Sequence, residues 1–300
     1  MTSTLDAAPE RRQQDQEPAT TFGARAVMHS EVSPEGNCRQ PTRYHVGHSD
    51  TYIPTCFRPE NGTYDLMVHF HGVADAQEAN VERAGVNAVV VSINVGIGSG
   101  PYEDAFKEQY AWTRLLGQVD GQVRASGRAP GARLGRIALS AWSAGYGAVG
   151  SLLRNPNIAK TVDAVLLADG LHANFKNEKT KEVDVTSLRK YAKVAQAAVE
   201  GNALFAMTHS SITVTGYANS TETAGALLQM LSVDKTENDT MGPRGMHEIY
   251  EAHRGNFHAF GYTGVGKHDH INHIRGMGDT IYPYLAQRWS EQPAAPVAMR

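Results

Sequence analysis

The sequence predicts an α/β protein with one mostly parallel, twisted β-sheet that is flanked by helices. Segments such as residues 88–95 (AVVVSINV) and 162–172 (VDAVLLADGLH) are short and almost wholly apolar. Such runs are typical of parallel strands that helices cover on both faces. Amphipathic stretches of helical length separate these segments along the chain, and this alternation indicates βαβ units in a single sheet.

The amino-terminal half supplies the first predicted elements. Residues 64–72 (YDLMVHFHG) are predicted to form a strand because the run is apolar and ends abruptly at His-Gly. The other elements predicted in this half are short strands in 24–32 and 43–59, a short helix before the strand in 88–95, a glycine-rich loop in 96–106 and a helix in 109–126.

The carboxy-terminal half continues the alternation. A strand in 136–142 (RIALSAW) runs directly into a helix in 145–156, with almost no loop between them. Glycine stops an amphipathic helix at 184–201, and Ser and Thr open a helix at 220–233, as expected for helix caps. The remaining predicted elements are strands in 162–172 and 202–214, two strands in 246–264 and a closing helix in 269–289.

The composition limits the classes of partner that the protein is expected to bind. The chain has 300 residues, 41% hydrophobic and 20% charged, with a net charge of −3 and no basic block, which argues against a nucleic-acid partner. No window reaches 18 consecutive apolar residues, so we expect no membrane span. Residues 1–22 form a polar leader that we predict to be disordered, and 23–300 a single domain. The oligomeric state is left open.

Two cysteines, Cys38 and Cys56, lie 18 residues apart without the spacing of a zinc site. If they form a disulfide, the protein folds in an oxidising compartment and is exported, with its signal already removed. If they are reduced thiols, a cytoplasmic location follows. The leader has no apolar core of a signal peptide.

A serine occupies the junction between the strand in 136–142 and the next helix. Ser143 is flanked two positions away on each side by Ala141 and Gly145, so a sharp turn there meets no bulky side chain. A strained strand-to-helix turn of this kind exposes a nucleophilic serine above the sheet, and the amides at the start of the helix face the charge that develops on the substrate.

From about residue 50 to its end, the chain resembles the α/β-hydrolase superfamily in this turn and in VHFHGV (68–73). Ala141 departs from the usual Gly-x-Ser-x-Gly pattern by one methyl group. The resemblance implies an oxyanion hole built from the backbone amides of Val73 and Ala144. No large lid insertion is evident.

The superfamily order is serine, then acid, then histidine, which implies a base just before the final helix. Residues 264–276 hold His268, His270 and His273. His270 matches the pattern best, His268 is the alternative, and His273 is expected to pack inside the helix.

The acid departs from the commonest pattern. Most members carry it after the seventh strand, but residues 208–214 contain no carboxylate. Asp169 ends an apolar strand, the position used by a subset of the superfamily, although a helix cap or turn would also explain it. Glu222 is the alternative acid and could instead complete a capping box with Asn219.

The expected chemistry is ester hydrolysis through an acyl-enzyme, with Ser143 as nucleophile, His270 as base and Asp169 as its orienting acid. No cofactor is needed, and the substrate is a small-molecule or polymeric carboxylic ester, with amides or peptides as a sub-option. Two rival classes remain. The first is a catalytically inactive binding module, and the second a metallohydrolase built from four histidines: His69, His71, His268 and His270.

Several side chains are expected to shape the substrate site, because they follow strands whose carboxyl ends share one edge of the sheet. Trp142 directly precedes the serine, a position where polyester-degrading members of the superfamily also carry Trp or His. It could equally pack on the helix. The other expected lining residues are His71, Tyr102, Phe106 and His172, with His209 and Ser210 at the rim.

Overall fold

The structure is a computed structural model that describes residues 25–27 and 38–292. Within this part of the chain, eleven strands form one sheet in the order β1-β2-β3-β5-β4-β6-β7-β10-β13-β12-β11. The strands are β1 (Arg25–Val27), β2 (Thr42–Val46), β3 (Ser49–Ile53), β4 (Thr63–Phe70), β5 (Val89–Ile93), β6 (Arg133–Trp142), β7 (Val162–Ala168), β10 (Leu204–Ser210), β11 (Thr236–Met241), β12 (His247–Arg254) and β13 (Phe257–Tyr262). A separate hairpin joins β8 (Phe175–Asn177) to β9 (Glu182–Val183).

The helices connect and cover these strands. They are α1 (Ala74–Ala84), α2 (Ser99–Ala105), α3 (Gln109–Ala125), α4 (Tyr146–Arg154), α5 (Pro156–Ala159), α6 (Arg189–Val199), α7 (Ser220–Leu231), α8 (Lys267–Arg275), α9 (Met277–Thr280) and α10 (Tyr282–Glu291). The six central strands, from β5 to β13 in sheet order, pair in parallel, and the outer strands pair antiparallel. The predicted mostly parallel α/β class is confirmed.

The core lies on both faces of the sheet. Every residue of β4 is buried, and its apolar side chains reach a cluster on each face, with Val68 in one and Met67 in the other. Helices α3, α4, α6 and α7 cover the first face, and α1, α8 and α10 cover the second. Burial on both faces explains why the central strands are mostly apolar. The predicted leader, residues 1–22, lies outside the described residues, and the single domain stays a prediction.

Several elements differ from the sequence-based expectations, among them the hairpin β8–β9 and helix α5, which were not predicted. The glycine-rich segment 96–106 contains a helix, α2, rather than a loop throughout. The closing helix is broken into α8, α9 and α10, because Gly276 ends α8 and Pro283, which has no backbone N–H, lies in the first turn of α10. Strand β11 (TENDTM) was missed because its polar residues form an exposed edge without apolar alternation.

The two cysteines lie close together at the amino-terminal side of the sheet. A disulfide joins Cys38 and Cys56, whose Cα atoms are 4.5 Å apart. Of the two alternatives left by the sequence, the structure therefore contains the bonded one. Among the described residues, no helix combines the length and the apolar character needed to cross a bilayer.

Candidate active site

Ser143 occupies a strained turn between β6 and α4. Its φ angle is +49°, in the left-handed region, and it begins a short 3-10 helix, Ser143–Gly145, that leads directly into α4. A Cβ atom at Gly145 would lie 2.0 Å from the carbonyl oxygen of Phe70 in the neighbouring strand β4. Only glycine fits at this position, which explains the small residue that the sequence pattern requires there.

The turn after β7 packs directly against the serine turn. A Cβ atom at Gly170 would lie 2.3 Å from the carbonyl oxygen and 2.6 Å from the nitrogen of Ser143. This close approach of two backbones places Asp169, the residue before Gly170, beside the Ser143 turn.

Asp169 is a fully hydrogen-bonded, buried carboxylate. It is 3% exposed and accepts hydrogen bonds from the backbone N–H of Ser210 at 2.9 Å, the Ser210 hydroxyl at 2.8 Å and the Ser220 hydroxyl at 2.6 Å. Burial alone would raise the pKa of Asp169, but the hydrogen bond from His270, the nearby His273 and the Ser220 hydroxyl outweigh it and hold the pKa well below its usual range. Asp169 therefore stays ionised at neutral pH.

His270 pairs with this carboxylate. Its Nδ1 atom lies 2.7 Å from Oδ2 of Asp169, near the start of α8, and its side chain is 25% exposed. Donation from Nδ1–H to the carboxylate fixes the tautomer in which Nε2 carries the lone pair. The Trp142 indole N–H donates to the His270 carbonyl oxygen at 2.9 Å, and the two rings lie 4.6 Å apart. The contact between Asp169 and His270 therefore leaves the Nε2 atom of His270 free to accept a proton.

The alternative base and the helical histidine lie elsewhere. His268 is exposed, and its nearest polar partner is Asn272, one helical turn away. His273 is buried, with Nδ1 2.8 Å from the Thr208 hydroxyl and Nε2 4.0 Å from Asp169. Of the three histidines, the structure brings only His270 into hydrogen-bond contact with Asp169.

The alternative acid takes part in a helix cap. The Glu222 carboxylate accepts from the backbone N–H of Asn219 at 2.9 Å, and the Asn219 side chain accepts from the Glu222 N–H at 2.7 Å. The sequence predicts this capping box, but it does not predict that Ser220, the first residue of α7, bonds to Asp169. The sequence pattern indicates only a helix-capping residue at Ser220, whereas in the structure its hydroxyl donates a hydrogen bond to Asp169. No local pattern marks that long-range contact.

The two predicted oxyanion donors lie at the ends of neighbouring strands. Ala144 is the second residue of the 3-10 turn and lines a cavity together with Ser143. Val73 is the N-cap residue of α1, just beyond β4, and its side chain is 65% exposed. Since β4 pairs with β6, both amides stand at the same edge of the sheet. Their role as oxyanion donors stays a prediction.

The cavity beside Ser143 has a volume of about 620 Å³ and is walled largely by polar side chains. His71 and His172 both line it, as expected. His172 donates from Nδ1 to the Ala218 carbonyl oxygen at 3.1 Å, and its ring lies edge-on between Tyr146 and Tyr217. Burial lowers the pKa values of both histidines, for His71 with a further contribution from His270, so neutral imidazoles face the cavity.

Tyr102 and Trp142 differ from the expectation that they line the substrate site directly. Tyr102 lies on α2 rather than in an open loop, is fully buried, and places its hydroxyl oxygen 2.8 Å from Nδ1 of His71. Trp142 stacks between the rings of His71 and His270. Both side chains support the two histidines from behind the cavity wall.

Three further expected wall or rim residues are buried instead. Phe106 packs against Phe70 with ring centroids 5.1 Å apart. His209 and Ser210 end β10 inside the protein, because Tyr250, Thr221 and Asp169 supply their hydrogen-bond partners there.

The four histidines of the metallohydrolase alternative do not converge. His69 is buried and uses both ring nitrogens, with Nδ1 2.9 Å from the Ser140 hydroxyl and Nε2 2.8 Å from the carbonyl oxygen of His71. Within residues 25–27 and 38–292, no group of three or more His, Cys, Asp or Glu side chains is arranged to hold a metal ion. The geometry therefore does not favour this alternative.

The chain is similar to known proteins in its fold and not in its sequence. No family model and no curated protein sequence matches the chain. Among solved structures, a feruloyl esterase module from Clostridium thermocellum is 10% identical with a TM-score of 0.47, covering 88% of this chain and 96% of that one. A cold-adapted esterase from an Arctic metagenomic library is 13% identical with a TM-score of 0.42, covering 87% and 99%. Esterase 2 of Thermogutta terrifontis, phosphoramylated by tabun, is 13% identical with a TM-score of 0.41, covering 86% and 92%. Similarity this low says nothing about the substrate.

Proposed function

We propose that this chain, which has the α/β-hydrolase fold, is a serine hydrolase that cleaves carboxylic esters. One observation carries the proposal. Ser143 stands at positive φ on a cavity wall, and the turn packed against it holds a buried, ionised aspartate paired with an imidazole. Strain at a residue that is not glycine persists where the surrounding structure fixes it, and such positions concentrate at functional sites.

The reaction follows from the roles of these side chains. His270 Nε2 takes the Ser143 hydroxyl proton as the oxygen attacks the ester carbonyl carbon, and Asp169 stabilises the imidazolium that forms. The amides of Val73 and Ala144 hold the oxyanion. The imidazolium then gives its proton to the departing alcohol, and a water activated by the same imidazole hydrolyses the acyl-enzyme. No cofactor takes part. The substrate class is a small-molecule or polymeric ester, and amides are the sub-option.

A fluorophosphonate probe together with p-nitrophenyl esters of increasing chain length tests this proposal. We expect the wild-type protein to be labelled and to hydrolyse the esters, and Ser143→Ala to do neither. Ser99→Ala is the matched control, because Ser99 lines the same cavity. Labelling that persists in Ser143→Ala would show another nucleophile. A wild-type protein that is neither labelled nor active would support the alternative of a binding module.

Dialysis against EDTA separates this proposal from the metallohydrolase alternative. Because the proposed steps use only side chains and backbone amides, we expect ester hydrolysis to be unchanged after dialysis. A loss of activity that added Zn²⁺ restores would assign the chemistry to a metal instead.

We also propose that the protein folds in an oxidising compartment. The Cys38–Cys56 disulfide supports this, since disulfides persist mainly in exported proteins. A free-thiol titration of the protein purified from its natural source should find both cysteines blocked, and two reactive thiols would contradict export.

A further inference from the structure

The cavity beside Ser143 extends along α4 to a cluster of charged side chains that the proposed reaction does not use. Arg154 and Lys190 line this distant end together with Glu103. Arg154 pairs with the Glu103 carboxylate at 3.1 Å. Lys190 has no carboxylate within salt-bridge distance among the described residues, so the cluster carries one uncompensated positive charge.

The fold holds Lys190 over the cavity floor. A Cβ atom at Gly150 of α4 would lie 2.7 Å from Cε of Lys190, so the missing side chain leaves room for the lysine stem. The ammonium group also lies 5.2 Å from the centre of the Tyr191 ring. Burial, with a contribution from the nearby Arg154, lowers the pKa of Lys190. An anion at this position would attract the ammonium group and so offset both the cost of desolvation and the repulsion from Arg154.

We propose that Lys190 and Arg154 bind a carboxylate on the ester substrate, so that the enzyme prefers esters with an anionic group at the end remote from the scissile bond. This inference rests on the proposed function of Ser143. Gly150 is seven positions after Ser143, which at the helical rise corresponds to about 10 Å. The carboxylate therefore belongs at the end of an extended chain, either in the acyl part or in the alcohol part.

Matched ester pairs test the preference. Suberate and sebacate half-esters of p-nitrophenol carry the carboxylate on the acyl side, and acetate esters of long ω-hydroxy acids carry it on the alcohol side. Each is compared with the uncharged alkyl ester of equal length. We expect kcat/KM for one anionic series to exceed that of its neutral partner by about tenfold, through KM, as for a hydrogen bond to a charged group. Succinate half-esters should show little preference because they are too short.

Three variants assign the effect. Lys190→Met keeps the aliphatic stem and should bring the anionic-to-neutral ratio close to one. Glu103→Gln releases Arg154 from its partner and should raise the ratio. Lys193→Met is the control, because Lys193 is an exposed lysine of the same helix outside the cavity. Equal ratios for wild type and Lys190→Met would overturn the inference and leave the proposed hydrolase intact.

Binding to Ser143→Ala separates this inference from the proposed reaction. We expect calorimetric titration with monomethyl suberate to show binding that Lys190→Met weakens about tenfold in the same background. If no ester is hydrolysed by the wild type, the proposed hydrolase is overturned, and Lys190-dependent binding would still support the anion site. If monomethyl suberate does not bind, or binds without dependence on Lys190, the anion site is overturned.

Discussion

The centre and the edges of the sheet fill left-handed backbone positions differently. In two edge hairpins glycine alone takes them, with φ of +59° at Gly47 between β2 and β3 and +58° at Gly255 between β12 and β13, whereas between β11 and β12 Arg244 (+62°) precedes Gly245 (+73°). In the centre, the neighbouring strands β4, β6 and β7 are each followed directly by a left-handed residue that carries a side chain, namely His71 (+73°), Ser143 (+49°) and Asp169 (+41°). Such strain costs about 1 kcal/mol or more at each residue.

This difference indicates what each region is built for. Glycine satisfies an edge turn at no steric cost. In the centre, three side chains of the proposed site stand where glycine would be less strained, and the chemistry proposed for them would explain why they are kept there. Hydrogen bonds and packing offset the strain, as the three protein donors other than His270 do for Asp169. Changes at the carboxyl ends of the central strands should therefore alter activity, and changes elsewhere in the sheet mainly stability.

The largest expected effect is on turnover. Asp169→Asn should lower kcat by about 10⁴-fold, because the imidazole loses its tautomer and the stabilisation of its charged form. Thermal unfolding should show that the variant still folds. Asp163→Asn is the matched control at the opposite end of β7. It weakens contacts with Arg288 at 2.8 Å and Trp289 at 2.7 Å and should lower stability with little change in kcat. Near wild-type turnover in Asp169→Asn would move the acid elsewhere.

Removal of the disulfide should affect stability alone. Closing a loop of 18 residues restricts the unfolded chain, so the Cys38→Ser, Cys56→Ser double variant should lose about 3 kcal/mol of unfolding free energy. Urea unfolding measures this loss, and kcat/KM for a p-nitrophenyl ester should stay at the wild-type value. A large fall in kcat/KM in the folded variant would contradict the separation of edge and centre.

Two glycine substitutions sharpen the contrast through packing. Gly170→Ala places a methyl group against the Ser143 backbone, so it should cost about 1–3 kcal/mol of unfolding free energy and lower kcat. Gly117→Ala lies in the exposed middle of α3 with open space around it and should gain about 0.5–1 kcal/mol. Equal effects of the two on both stability and activity would show that the Ser143 turn can relax.

The remaining expected effect concerns the pH dependence of stability and two buried histidines. Burial lowers the pKa of His69 and of His209 to about 3. Below pH about 6.5 these two histidines become protonated in the unfolded chain but stay neutral in the folded protein. The free energy of unfolding therefore falls with decreasing pH. Each histidine should contribute a slope of about 1.4 kcal/mol per pH unit down to its folded pKa. His209→Gln should reduce the slope of unfolding free energy against pH, measured between pH 6 and pH 4, by about 1.4 kcal/mol per pH unit. An unchanged slope would contradict this assignment.

The sequence predicted features that depend on local pattern. The parallel core followed from apolar runs, and the strand-to-helix turn followed from the small residues around Ser143. Asp169 is the predicted acid because a carboxylate at the end of an apolar strand needs a partner; the structure places His270 beside it, and the catalytic roles of both stay predictions.

Features that depend on tertiary packing were not predictable. Nothing local to Tyr102 or Trp142 shows that they support histidines from behind the cavity wall rather than line it. Likewise Lys190 and Arg154 belong to different helices, and only the packing of α6 against Gly150 brings them to one cavity. Long-range contacts of this kind leave no periodic signal in the chain.

The central claim is that the Ser143 hydroxyl becomes acylated. Rapid acid quenching during turnover of p-nitrophenyl acetate, followed by peptide mass spectrometry, tests it most directly. We expect one acetyl group on Ser143 in the wild type and none in Ser143→Ala. An acetyl group on another residue that forms and decays at the rate of turnover, or ester hydrolysis that continues in Ser143→Ala, would contradict it.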